Sequence, residues 1–186
     1  MNFIPYIFSA CLMFTTTAFG TAIDSTFIVH SNSTTYKLES VKEENIRLIL
    51  YKTGKRVDSK LYLDSIASIS IVDIDNDGNE DVAVGIVKSS RWSKEKSLKM
   101  YLYRIKDDRI LPLWRSSKLT SSLINFCFVN NSGKNYAVVI EKLSNNSYNL
   151  IRFRWKNFGL VYDKYMLKNQ DSSVVFQRFG ELQIKK

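Results

Sequence analysis

Between Ile69 and Val87 the chain reads ISIVDIDNDGNEDVAVGIV, and its residue types and spacing demand a particular chemistry. Counted from Asp73, aspartates fall at loop positions 1, 3, 5 and 9, as Asp73, Asp75, Asp77 and Asp81, with Gly78 at position 6. Carboxylates concentrated on one short loop suit a hard dication. Calcium takes about six to eight oxygens in a flexible shell, and a glycine at position 6 permits the sharp turn that aims the odd-numbered side chains and the carbonyl of Asn79 inward. Without a cation, each close carboxylate pair costs about 1 to 3 kcal/mol at an effective dielectric near 20. The structure of the loop and its metal are therefore expected to be coupled.

The flanks decide which kind of loop this is. An EF-hand shares the first positions but carries an apolar residue at 8 and a bidentate Glu at 12; here those places hold Glu80 and Val84. Ser68–Val72 is rich in β-branched residues, and Val82–Val87 is a continuous small apolar run, too short and too β-branched for a helix. Strand, loop, strand is the better parse. In that form D-I-D-N-D-G-N-E-D-V-A-V-G resembles the calcium loop of FG-GAP and VCBS-type repeats, the blades of integrin-like β-propellers and of many secreted bacterial proteins. The resemblance covers one loop and its two strands. It implies calcium as cofactor, Asp73, Asp75, Asp77 and Asp81 as side-chain ligands, and Asn79 as a main-chain ligand. The alternative is an acidic hairpin turn that holds no metal.

The elements around the loop recur. Asn45–Lys52 and Arg56–Leu63 read as a hairpin around a three-residue connection, Thr53-Gly54-Lys55. Ser97–Lys106 turns at Asp107-Asp108-Arg109 into Ile110–Trp114, and Tyr148–Lys156 turns at Asn157-Phe158-Gly159 into Leu160–Tyr165. Tyr103-Arg104-Ile105-Lys106 is thus echoed about 50 residues later by Phe153-Arg154-Trp155-Lys156. The loop recurs as well: Phe128 to Tyr136 aligns on Gly133, with Phe128, Asn130, Ser132 and Tyr136 where the aspartates stood. A similar shape without calcium is expected there. The fold class is all-β, built of repeated four-stranded antiparallel meanders in units of about 26–63, 66–115 and 121–166, with a terminal hairpin at 173–185 made from Val174–Phe179 and Glu181–Ile184. Three such units fall short of the four to eight blades of most propellers. The arrangements to weigh are a small propeller closed by the terminal hairpin, an open partial propeller, and a twisted β-sandwich. Open edges favour an oligomer.

Composition places this domain in a compartment. The chain has 186 residues, 45% of them hydrophobic, which suits one domain with a real core. Residues 1–22 carry an apolar run from Phe3 to Phe14 and end in small residues, as a secretory signal peptide does, and depart from that pattern in having no Lys or Arg at the start. Secretion or a periplasmic location follows, with no membrane span once the segment is cleaved. An uncleaved, membrane-tethered envelope protein is the competing reading.

The formal net charge is +9. In Tyr148–Lys156 strand alternation puts Arg152, Arg154 and Lys156 on one face and Ile151, Phe153 and Trp155 on the other. The segment Lys88–Lys99, read as a loop, places Arg91, Lys94, Lys96 and Lys99 around Trp92, and Arg115 to Lys118 follow Trp114. These are the ligand-surface candidates. Given export, an anionic glycan, a lipid headgroup or other envelope component, or an acidic protein is a better partner than nucleic acid. The bland reading is a solvated sheet face with core tryptophans. Catalysis finds little support: the one histidine, His30, has no nucleophile elbow to serve, and no carboxylate pair stands out. A non-enzymatic binding or adaptor module is the leading expectation, and a secreted hydrolase with an unrecognised active site is the alternative.

Overall fold

A computed structural model of the chain describes residues 27–184 apart from 32–33, 43–44, 63–64, 91–92 and 116–121, and describes the backbone alone at 27–46, 61–62, 65, 90 and 93. The segment read as a signal peptide, 1–22, lies outside the described residues.

The strands are β1 (Phe27–Ser31), β2 (Thr34–Lys42), β3 (Asn45–Lys52), β4 (Lys55–Tyr62), β5 (Ser65–Val72), β6 (Asp81–Ser90), β7 (Ser93–Lys106), β8 (Arg109–Arg115), β9 (Ser122–Asn131), β10 (Lys134–Lys142), β11 (Tyr148–Lys156) and β12 (Gly159–Gln170). They form three antiparallel sheets of four strands each, β1 to β4, β5 to β8 and β9 to β12, and within each sheet neighbours in sequence are neighbours in space. The fold is therefore all-β, a succession of four-stranded meanders.

Twist sets the hairpin turns. Thr53 and Gly54, Asp107 and Asp108, and Ser132 and Gly133 all have positive φ, between 48° and 77°. A two-residue turn with both central residues left-handed matches the right-handed twist of the strands it joins. Lys55 therefore pairs with Lys52 inside the ladder, so the expected three-residue connection is a two-residue one. The strands also run further than their residues suggest. Lys88–Lys99 is not a loop: β6 continues to Ser90 and β7 begins at Ser93. Alternating Lys and Glu in Ser93–Ser97 hid the strand, because its residues there are polar at successive positions, and the apolar core residues begin only at Leu98.

The sheets are stacked in a row. Val82, Val84 and Ile86 of β6 pack with Leu48 and Leu50 of β3, while Ala83 on the opposite face of β6 packs with Met100, Leu102, Phe126, Phe128, Val139 and Phe153. This is why Val82–Val87 is continuously apolar: its strand is covered on both faces. Gly85 sits where a Cβ would lie 2.4 Å from Ser68 Oγ on the neighbouring strand β5 and 3.1 Å from Phe126 Cε1 of the third sheet, so a side chain here would collide with Ser68 and press on the third sheet. The outer face of the third sheet, with Cys127, Val138, Ile140 and Leu150, is covered by Val175 and Phe179.

Those last two residues belong to α1 (Ser172–Ile184), which corrects the expected terminal hairpin. Val174-Val175-Phe176 has strand-like residue types, but Val175, Phe179 and Leu182 recur at helical spacing and all pack against the third sheet. Closure into a ring by that hairpin is overturned with it: the C-terminal segment pairs with no strand and instead covers the end of the stack. Among the described residues no helix is long and apolar enough to cross a membrane.

Candidate metal centre

The acidic loop joins β5 to β6 at the corner between the second and third sheets. Asn76 (φ 61°) and Gly78 (φ 89°) take the left-handed conformation and fold the loop back on itself. Asp73 organises this turn: its Oδ1 accepts from the Asp77 amide at 3.0 Å and its Oδ2 from the Gly78 amide at 2.9 Å. Asp77 Oδ1 accepts from both the amide and Nδ2 of Asn79, at 2.9 and 3.1 Å. Ile74 is 2% exposed and anchors the loop in the core between the second and third sheets, with Ala83, Met100, Phe126 and Phe128, and its amide donates to Asp81 Oδ2 at 3.1 Å.

Asp73, Asp75 and Asp81 each offer an oxygen within 4.8 Å of the others. Asp77, also named from the sequence, stands at the exposed rim of the loop and is not part of this cluster, and Asn79, named for its main-chain carbonyl, stands beside it at the rim. The side chain of Asp75 is 7% exposed and Asp81 is 1% exposed. Among the described residues, Asp75 Oδ1 and Asp81 Oδ1 are buried and accept no hydrogen bond. Burial raises the Asp81 carboxyl from its ordinary value of 3.8 to about 7; the Ile74 amide and Arg104 oppose the rise, and the charges of Asp75 and Asp77 add to it. Unpartnered carboxylate oxygens in a buried corner fit a hard cation with oxygen preference. The donor set contains no soft or imidazole ligand, which favours calcium or magnesium over zinc or copper.

Two participants were not visible in the loop itself. Arg104 of β7, the cross-strand partner of Asp81, forms an ion pair with Asp75 and stands 3.6 Å from Asp77. Asn135 of β10 donates its amide to Asn76 Oδ1 at 2.6 Å and its Nδ2 to the carbonyl of Asp73 at 2.8 Å. The hairpin aligned with the acidic loop from sequence thus docks onto it, but it does not have the similar shape expected: β9 and β10 are joined by the two-residue turn Ser132-Gly133, where residues 73–80 form a longer loop. Asn130, in an aspartate's place, caps its own turn through Gly133 at 3.1 Å and holds Asn135 Oδ1 at 3.0 Å.

Of the surface candidates, Arg91, Trp92 and Lys118 lie outside the described residues. Trp114 is half-buried between the second and third sheets, against the core that Met100, Leu102, Phe126 and Phe153 share; its Nε1 is 2.8 Å from where a Cβ on Gly159 would stand. Arg115 is exposed at the end of edge strand β8. Arg152, Arg154 and Lys156 do share a face of β11. The Arg152 guanidinium lies 4.2 Å from the centre of the Tyr136 ring and its Nε donates to Asp163 at 2.6 Å. Arg154 is 53% exposed. His30 lies in β1 with its side chain outside the description. No family model, curated protein or solved structure matches the chain.

Proposed function

We propose that this chain is an exported β-repeat protein, stabilised by calcium, that works as a binding or adaptor module for an anionic partner: a glycan, an envelope component or an acidic protein. The observation that carries the reading is the corner where Asp73, Asp75 and Asp81 converge with Asp75 Oδ1 and Asp81 Oδ1 buried and unpartnered. These residues would hold the cation, with Asp77 and Asn79 at the rim, as the likeness to FG-GAP and VCBS loops implies. The cation supplies the positive charge that lets the carboxylates stay ionised at close range. Its role is structural: at ten times its dissociation constant it adds about 1.4 kcal/mol to stability. The basic face of the third sheet supports the choice of an anionic partner.

Thermal unfolding with calcium and with chelator tests the metal, beside Asp75→Asn combined with Asp81→Asn. Calcium is expected to raise the midpoint of the parent chain and to leave the double variant where it is. An unchanged parent midpoint ends the calcium reading.

A further inference from the structure

Crowded carboxylates need a counter-charge, and this chain carries one on the neighbouring strand. Arg104 is fixed to β7 opposite Asp81, pairs with Asp75 and lies 3.6 Å from Asp77. It does not complete the site. A guanidinium is a planar, diffuse charge that donates along fixed directions, and Asp75 Oδ1, Asp81 Oδ1 and Arg104 Nε all remain buried without a hydrogen-bond partner. The side chain is also 35% exposed, so solvent is within its reach.

We infer that Arg104 sets the affinity of the metal loop: it holds Asp75 in the cation-free chain, and a hard dication must displace it from that carboxylate to bind. This inference rests on the metal reading above. Guanidinium and dication compete for the same carboxylate. The tether keeps the guanidinium at the loop at high effective concentration, so the dication binds only by the margin with which it serves the carboxylates better. A dication can meet oxygens from several directions at once, including the two that Arg104 leaves unpartnered. Two consequences follow. The loop is held together without metal, and its affinity is weaker than its carboxylates alone would give.

The test is calorimetric titration of the chain with calcium chloride, for the parent, Arg104→Met and Arg104→Lys. Arg104→Met is expected to bind about tenfold more tightly or better, the order expected when a unit charge is removed from beside a cation site. Arg104→Lys keeps the charge and is expected to stay near the parent. Equal or weaker binding by Arg104→Met overturns the inference while leaving the metal reading intact, and absence of binding by parent and Arg104→Met overturns both. Should Arg104→Met fail to fold in chelator, the side-chain 15Nε resonance of Arg104 in the parent decides. A shift on adding calcium supports displacement, and an unmoved resonance on a calcium-bound chain overturns it.

Discussion

Asp81 carries the sharpest conflict in the molecule. It is 1% exposed, and burial brings its carboxyl to about 7 in the cation-free chain. A carboxyl whose pKa rises on folding binds its proton more tightly in the native state. Its contribution to stability is therefore complete below the unfolded value, near 4, and is lost as pH climbs through about 7. Calcium bound as proposed would act in the opposite direction, because it needs the carboxylate and competes with the proton. The rise in unfolding midpoint caused by calcium is accordingly expected to be larger at about pH 8 than at about pH 5; equal rises would show that Asp81 is not a ligand. Asp81→Asn separates the two effects. It retains an acceptor for the Ile74 amide and removes the buried charge, so at about pH 8 in chelator it is expected to be no less stable than the parent while losing its calcium response. Gly85 shows the other constraint acting on single residues. Its absent side chain makes room for Phe126 and Ser68, and Gly85→Ala should destabilise the chain by about 1 to 3 kcal/mol through overpacking, measured by denaturant unfolding.

Among elements, α1 has the clearest consequence. It covers Cys127, Val138, Ile140 and Leu150, which are each 0% exposed. A sheet face this apolar needs a neighbour, and the first two sheets find theirs in each other and in the third. Phe179→Ala should cost about 3 to 5 kcal/mol. With residues 1–22 removed, Cys127 is the only thiol in the chain, so thiol labelling under native conditions should be slow in the parent and much faster in Phe179→Ala; equal rates would mean the helix does not guard that face. The helix also shows where sequence reasoning stops. The acidic cluster was legible because its aspartates lie within nine positions of one another, and the meanders were legible because each strand pairs with the next. Arg104 and Asn135 were not, since they reach the loop by cross-strand register and by contact between sheets, and no local pattern encodes either. Val174-Val175-Phe176 reads equally well as strand; only the sheet beneath it selects the helical spacing of Val175 and Phe179. Trp114 looked like a surface aromatic beside Arg115, and the stacking of the sheets sets it over Gly159.

For the whole molecule, the question is where the net charge of +9 resides. The stack leaves two ends, and the third sheet presents one of them. Its outer face is divided: α1 covers Cys127, Val138, Ile140 and Leu150, while Tyr136, paired across the ladder with Arg154, begins the uncovered part. Alternation along β10 and β11 adds Lys134, Arg152 and Lys156 to the same side. Asp163 pairs with Arg152 and approaches Arg154 at 4.0 Å, which fixes Arg152 against Tyr136 and leaves Arg154 and Lys156 to face solvent. Such a surface attracts a polyanion by displaced counterions, so binding should weaken steeply with salt. Retention on a sulfated polysaccharide column measures this. The parent is expected to elute at higher salt than Arg154→Gln combined with Lys156→Gln, whereas Lys55→Gln combined with Lys106→Gln, at exposed turns of the other sheets, removes the same charge and should elute close to the parent. If both pairs of substitutions shift elution equally, retention follows net charge alone and the third sheet is not the binding face. If only the first pair does, the row of sheets has a direction: a helix and a basic patch at one end, and the acidic corner buttressing the junction next to it.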